Sequence, residues 1–187
     1  RSGEFVESLQ KTLQVGAAEY REEELNIVKD LCQGLTAKDP TIRERSMALL
    51  SPVADSCLAV TSKAAMFTLI PALCGWLEYE TELLPGYEIM VKRIEGVTQH
   101  LLDSHCWREV EPLTRVLSSI VTGGLKKNSA MRSLAGQLLS THCKKAVLTR
   151  LTDDYLIEGE DQHAISNILL VFGTKAALYL LGRVIIS

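Results

Sequence analysis

Two His-Cys pairs are the residues of this chain whose types could bind a metal ion. They are His105-Cys106 and His142-Cys143, and they lie 37 residues apart. Imidazole nitrogen and thiolate sulfur are ligands that zinc prefers, but all ligands of one zinc ion must lie within about 2.0–2.3 Å of it. Equivalent positions of stacked helix pairs lie about 8–10 Å apart. We therefore expect two recurring helix ends, with cysteine buried beside each, and no metal site.

Nucleophilic catalysis is not indicated either. A nucleophile, a base and an orienting group must be in contact, whereas neighbouring residues on a helix point about 100° apart. The motifs GxSxG, HExxH, GxxxxGK and GxGxxG do not occur. We predict no catalytic residue, no cofactor-binding residue and no enzymatic activity.

A run of basic residues is the first candidate for a binding surface. Residues 112–152 contain no acidic residue, and acidic residues follow at once in 153–161. Such polarity can steer a charged partner, but the same residues can equally form solvated helix faces. The basic residues of the run are Arg115, Lys126, Lys127, Arg132, Lys144, Lys145 and Arg150.

An aromatic segment is the second candidate. The stretch WLEYETELLPGYE, residues 76–88, contains Trp76, Tyr79 and Tyr87 among several glutamates. Exposed aromatic residues are enriched at binding hot spots, so these three could contact a partner. Alternatively, they cover a wide junction between two helices.

The elements that position these residues are predicted to be helices. Apolar residues make up 47% of the chain and aromatic residues only 5%, which favours aliphatic seams between helices. In DPTIRERSMALLSP, Asp39 is suited to cap a helix, Pro40 to begin it, and Pro52 to stop or bend it. We expect Arg43 and Glu44 in solvent. The apolar face of this helix would contain Ile42, Ser46, Leu49, Leu50 and Val53.

The same frame returns three more times. It consists of an apolar residue, a small residue four positions later and a Leu-Leu pair, in segments 42–50, 94–102, 131–139 and 162–170. The small residue allows neighbouring helices to approach closely. In the last copy Gln162 takes the place of the apolar residue. The small positions are Ser46, Thr98, Ala135 and Ser166.

Another helical segment precedes each copy, which predicts helix pairs at intervals typical of a solenoid. We expect one array of pairs after a lone helix at 4–15, with a further partial pair at 174–187. The chain begins RSGEF and ends in an apolar helical pattern, so we expect a fragment of a longer protein. The pairs are predicted at about 21–54, 62–104, 107–143 and 145–173.

In this frame the chain resembles the HEAT repeats, in particular the bacterial phycobilisome-lyase-type HEAT-like repeats. Residues 27–54 carry the closest resemblance, with an Asp-Pro turn, an Ile-Arg step, a small residue and two leucines, and residues 120–139 the next. The resemblance implies an all-α, right-handed solenoid of antiparallel helix pairs. It also implies that Asp39 with Arg43, and Asn128 with Arg132, link neighbouring repeats.

The family contains scaffolds and adaptors, chromophore-lyase components and rarer DNA-handling forms, and among these we predict a non-catalytic scaffold or adaptor whose partner is another protein. A nucleic-acid-binding protein of the DNA-alkylation-repeat type is an alternative, opposed by the net charge of −3. A bilin lyase-type subunit is another. Five cysteines without CxxC spacing indicate a reducing compartment, the cytoplasm. No apolar run reaches the roughly 18 residues of a membrane span, and the sequence does not define an oligomeric state.

Overall fold

The computed structural model describes residues 29–59, 63–157 and 159–186, with side chains for 29–50, 69–157 and 159–181. This part of the chain is all-α and contains no strand. The predicted helix 4–15 and the side chain of Val53 lie outside it. After a helical segment at 29–34, the helices are α1 (Pro40–Ala59), α2 (Lys63–Tyr79), α3 (Tyr87–Asp103), α4 (Trp107–Thr122), α5 (Ser129–His142), α6 (Lys145–Tyr155), α7 (Gln162–Phe172) and α8 (Thr174–Ile186).

Local signals set several of these helix ends. The Asp39 carboxylate accepts a hydrogen bond of 2.9 Å from the backbone N–H of Thr41, and α1 begins at Pro40. Asn128 caps α5 in the same way through the N–H of Met131. Gly123 ends α4 with φ of +83°, a conformation that glycine adopts without strain. Pro52 does not stop α1, which continues to Ala59.

The chain divides into two compact units, Arg1–Val97 and Thr98–Ser187. In the first unit α1 packs against α2, and the helical segment 29–34 approaches α1 closely. A β-carbon on Gly34 would lie 2.0 Å from Oγ of Ser46. The small position of the first frame is therefore a point of close helix contact.

In the second unit α4 is the central element. It packs most extensively against α5 and α7, while α6 packs on α7 and α8 contacts both. One side of α4 is buried, including Trp107, Leu113 and Ile120. Stacked repeats would place α4 beside α6, the first helix of the next pair, but its extensive contact is with α7, the second helix of that pair.

The burial of the frame residues differs between the copies. The small residues Ser46, Thr98 and Ala135 are buried, as is the first apolar residue of the second and third copies. Ile42 was expected on the buried face of α1, but it is 47% exposed. In the fourth copy Leu170 is 76% exposed. The frame residues of the second copy, Ile94, Thr98, Leu101 and Leu102, are thus all buried, while each of the other copies has at least one that is not.

No single helix among the described residues is long and apolar enough to cross a membrane. Only α7 and the first part of α8, taken together, reach that length and composition. These two helices are bent by 107° at Gly173.

Candidate functional site

The basic residues of 112–152 do not form one continuous surface. Lys126, Lys127 and Arg132 lie before or in the first turns of α5, while Lys144 and Lys145 follow its last residue. A helix of 14 residues is about 20 Å long at 1.5 Å per residue. The run is therefore divided between the two ends of α5.

Three of these basic residues are engaged or buried. The guanidinium of Arg150 donates to Oδ1 of Asp103 at 2.6 Å. Arg115 lies 3.6 Å from the carboxylate of Glu111 on the same helix. Lys127 is buried. Each of these three therefore has a structural contact or a buried position, and their role in binding a partner stays a prediction.

Four basic side chains remain exposed, and within the described parts of the chain none of them forms a salt bridge. Lys144 and Lys145 stand at the N-terminus of α6, where no side chain caps the helix and the first turn has no acidic residue. The positive end of the helix dipole lies at this terminus. Lysine ammonium groups there add to the positive potential. The other two are Lys126 and Arg132, at the start of α5.

The aromatic residues of 76–88 are divided between core and surface. Trp76 and Tyr87 are buried, and their ring centroids lie 4.9 Å apart. Burial, together with the charge of Glu80, raises the pKa of Tyr87 to about 12. These two rings cover the junction between α2 and α3, which was the alternative to partner contact. Tyr79 alone of the three is exposed.

Arg43 is the charged residue that sequence reasoning misplaced. It was expected in solvent, but it is buried, and its Nε donates to Oε2 of Glu80 at 2.7 Å. Its Nη1 donates to the carbonyl oxygens of Ala37 and Lys38, each at 3.0 Å. The guanidinium also lies 5.8 Å from the ring centroid of Tyr79. The start of α1 is thus fastened to the end of α2.

Glu80 was not singled out from the sequence, although its role here is central. It is fully buried, and its carboxylate also accepts the backbone N–H of Glu82 at 3.0 Å. The available signal was a carboxylate directly after Tyr79, at the end of α2. Other glutamates surround it in sequence, so composition alone does not identify the buried one.

The two His-Cys pairs lie in different environments. His105 adopts φ of +57°, and its Nδ1 lies 2.5 Å from the carboxylate of Asp154. His142 is fully buried with Nδ1 3.3 Å from Oε1 of Gln99. Burial raises the pKa of Cys143. Among the side chains that the structure describes, no three His, Cys, Asp or Glu residues converge in a way that could hold a metal ion.

The acidic segment after the basic run is held by side chains of α4. Indole Nε1 of Trp107 donates to Oδ2 of Asp154 at 2.8 Å, the oxygen that also contacts His105. Arg108 forms ion pairs with Glu160 and Asp161. These contacts connect the N-terminus of α4 to the end of α6 and the start of α7, which is a structural role.

An open apolar groove of about 580 Å³ lies between the end of α6, α7 and α8. Its lining includes the small residues Gly173, Ala176 and Ala177 and several leucines. Sequence reasoning did not identify it, because it depends on the bend between α7 and α8. The remaining lining residues are Tyr155, Ser166, Leu169, Leu170 and Leu180.

Compared with protein-family models, curated proteins and solved structures, the chain has no significant match. The resemblance to HEAT repeats therefore depends on the residues of the frame alone.

Proposed function

We propose that this chain is a non-catalytic protein-interaction scaffold of HEAT-like helix pairs, and that it binds an acidic segment of a partner protein. The observation that supports this proposal most is the position of Lys144 and Lys145. Both are exposed at the N-terminus of α6, and neither forms a salt bridge within the described residues.

The two lysines do not stabilise α6. A cation at a helix N-terminus opposes the helix dipole, while an anion there is favoured by about 0.3–1 kcal/mol. Lys144 also follows the C-terminus of α5, where a cation is favourable, but Lys145 is the first residue of α6. A carboxylate of a partner would find two ammonium groups and unpaired backbone N–H groups at one place.

The pair at the start of α5, Lys126 and Arg132, forms a second cationic point. It lies about 20 Å from the first along α5, farther than the Debye length of about 8 Å at physiological salt. The two points would therefore act as separate electrostatic contacts. An extended segment of roughly six or more residues could reach both, at about 3.3–3.6 Å per residue.

The direct test is binding of a poly-glutamate peptide to the whole chain and to a Lys144→Gln, Lys145→Gln variant. We expect the affinity for the peptide to fall severalfold in the variant. The difference in affinity between the two proteins should shrink as salt rises from about 50 to 200 mM, because screening weakens the electrostatic attraction. The matched control replaces Lys38 and Lys92, two exposed lysines of the first unit, by glutamine. Equal binding by all three proteins would remove the proposal.

A duplex DNA probe distinguishes binding of an acidic protein segment from the alternative, binding of nucleic acid. Recognition of an acidic protein segment predicts that the peptide binds at moderate salt while the duplex does not shift in a gel. A duplex that binds more tightly than the peptide, with a steep salt dependence, would favour nucleic acid instead.

The HEAT-like solenoid itself is part of this proposal. Its support is the recurrence of a buried small residue at Ser46, Thr98 and Ala135. Solenoid pairs contribute nearest-neighbour terms to stability, so amide hydrogen exchange should show protection that decreases pair by pair toward the ends. Uniform protection across the chain, lost in one step, would argue against this arrangement.

A reducing compartment, the cytoplasm, is the setting we propose. Among the described residues, four cysteines form no disulfide bond: Cys32, Cys74, Cys106 and Cys143. Burial raises the pKa of Cys32 to about 11, which keeps that thiol protonated and unreactive at neutral pH.

A further inference from the structure

Three consecutive apolar residues are exposed where α6 ends. Tyr155, the last residue of the helix, is 42% exposed, and Leu156 and Ile157 after it are 73% and 68% exposed. Scattered exposed apolar residues are ordinary, but a run of three in succession is normally retained only for a function. We call Leu156 and Ile157 the apolar tip. Their Cα atoms lie about 3.8 Å apart, so one small partner surface can contact both.

The loop that carries the apolar tip is hydrogen-bonded at both of its ends. The backbone N–H of Ile157 donates to the carbonyl oxygen of Asp154 at 3.1 Å. Nε2 of Gln162, the first residue of α7, donates to the carbonyl oxygen of Tyr155 at 3.2 Å. A segment that is already held in one conformation loses little entropy when it binds. The apolar tip is therefore presented in a preformed arrangement.

Side chains of α4 hold the same loop through its carboxylates. Asp154 accepts a hydrogen bond of 2.8 Å from the indole of Trp107, which is buried. Arg108 forms ion pairs with Glu160 and Asp161. These contacts attach the loop to the second unit and leave its apolar tip in water.

The segment around the apolar tip is strongly acidic. Residues 153–161 include five acidic residues and no basic residue. Arg108 offsets part of this charge, yet the side chain of Glu160 is 85% exposed. At most four residues separate the tip from each of the acidic positions, a span of at most about 14 Å at 3.3–3.6 Å per residue. A surface complementary to this loop therefore combines apolar contact with positive charge.

We propose that this loop is a docking site for a basic, amphipathic segment of a partner protein. Apolar residues of that segment contact Leu156 and Ile157, while its lysine or arginine residues face the acidic segment 153–161. Apolar anchors surrounded by a polar rim are the usual arrangement of a binding hot spot.

The charge of the loop decides between a protein segment and other apolar or polymeric partners. A bilayer could accept an apolar tip, but the anionic lipids of a membrane surface repel carboxylates. Nucleic acid is repelled for the same reason. A basic protein segment fits both the tip and the charge. The site shares no residue with the lysines at the start of α6, so it is an interface separate from the one proposed for an acidic segment.

The direct test is binding of a labelled peptide of lysine and leucine to the whole chain, measured by fluorescence anisotropy. A peptide of about 14 residues forms about four turns of an amphipathic helix. We expect a Kd in the micromolar range, as for a small interface. Leu156→Ser with Ile157→Ser should raise this Kd about tenfold or more. The control is Ile89→Ser, at an exposed apolar residue of the first unit, which should leave the Kd unchanged.

A second variant tests the charge of the loop. Glu160→Gln with Asp161→Asn removes only exposed ion pairs, which contribute little to stability, so the chain should keep its helical signal in circular dichroism. Its Kd for the peptide should rise severalfold at about 50 mM salt and much less at about 200 mM, because salt screens exposed charges. The matched control is Glu44→Gln with Glu88→Gln, two exposed glutamates of the first unit.

Three outcomes would overturn the proposal. The first is equal affinity of the whole chain and the tip variant for the peptide. The second is poly-lysine of the same length binding as tightly as the lysine–leucine peptide, which would leave the apolar tip without a role. The third is binding of the chain to vesicles of an anionic phospholipid that is lost in the tip variant, which would assign the tip to a membrane.

Discussion

Arg43 of α1 and Glu80, the residue directly after α2, form a buried ion pair, with Nε and Oε2 2.7 Å apart and side chains 5% and 0% exposed. Two backbone carbonyls accept the remaining Nη1 protons of the guanidinium. The pair connects segments 37 residues apart in sequence, and Nε, Nη1 and Nη2 of the guanidinium all donate hydrogen bonds.

Removing one member of this pair should destabilise the first unit strongly. Arg43→Met leaves Glu80 buried without its counter-charge, and we expect a loss of about 3–5 kcal/mol in the free energy of unfolding. Replacing both residues by methionine should recover part of the loss, because no charge remains buried. Urea denaturation measures both values, and Arg45→Met on the exposed face of α1 is the control. If Arg43→Met costs no more than Arg45→Met, the ion pair does not stabilise the unit.

The close contact between Gly34 and Ser46 predicts a coupling between two substitutions. Gly34→Ala places a methyl group 2.0 Å from Oγ of Ser46, and overpacking typically costs about 1–3 kcal/mol. In a Ser46→Ala background the 2.0 Å contact is removed and only the β-carbon of residue 46, at 3.1 Å, stays close, so Gly34→Ala should cost less there.

Gly75→Ala is the matched control for that coupling, since nothing lies within 4 Å of its β-carbon position inside α2. It should stabilise the chain by up to about 1 kcal/mol through helix propensity. A thermal-denaturation double-mutant cycle gives the coupling. Additive effects of Gly34→Ala and Ser46→Ala would contradict close packing at this point.

His142 predicts how stability changes with pH. Burial, assisted by the nearby charge of Lys144 and opposed by Asp103, lowers its pKa to about 4. The unfolded chain, with an ordinary value of about 6.5, binds the proton first. Stability should therefore fall as pH decreases from about 6.5 to 4, by on the order of 3 kcal/mol.

Denaturation between pH 4 and 7 tests this effect, with His142→Leu as the variant. Because the leucine does not titrate, we expect a flatter dependence of the unfolding free energy on pH in this window. His163→Gln, at an exposed histidine of α7, controls for the loss of an imidazole. A pH dependence that is unchanged by His142→Leu would show that other groups cause it.

Asp154 should be important for the second unit because it holds the turn before α4. Its Oδ2 accepts from Trp107 and contacts His105, which has a left-handed backbone. Asp154→Ala leaves the indole N–H without its partner, and we expect a loss of about 2 kcal/mol. Asp154→Asn retains an acceptor and should lose less, whereas equal losses would assign the effect to the charge alone. Urea denaturation followed by tryptophan fluorescence measures both.

Much of the local structure follows from the sequence by itself. The all-α class, the caps at Asp39 and Asn128 and the end of α4 at Gly123 depend on groups a few residues apart. The buried small positions of the first three frames follow from helical periodicity in the same way. At Pro52 the local signal did not end the helix, because α1 continues past this proline to Ala59.

The candidate site could be predicted only as a set of residue types. Charge counting identified the seven basic residues of 112–152, but not that Arg115 and Arg150 have acidic neighbours and that Lys127 is buried. Burial depends on which helix lies opposite. Periodicity within one helix cannot supply that information, and neither can composition.

The tertiary structure alone decided which side chains lose contact with water. Arg43 is buried because Glu80 is brought to it from the end of α2, and Trp76 is buried because Tyr87 packs on it across the junction. Ile42 and Leu170 fit the repeating frame equally well, yet both are exposed. The sequence determines where each helix begins and which residues share a face, through short-range hydrogen bonds and helical geometry. Which faces are covered depends on contacts between helices distant in sequence, and those arise only when the chain is folded.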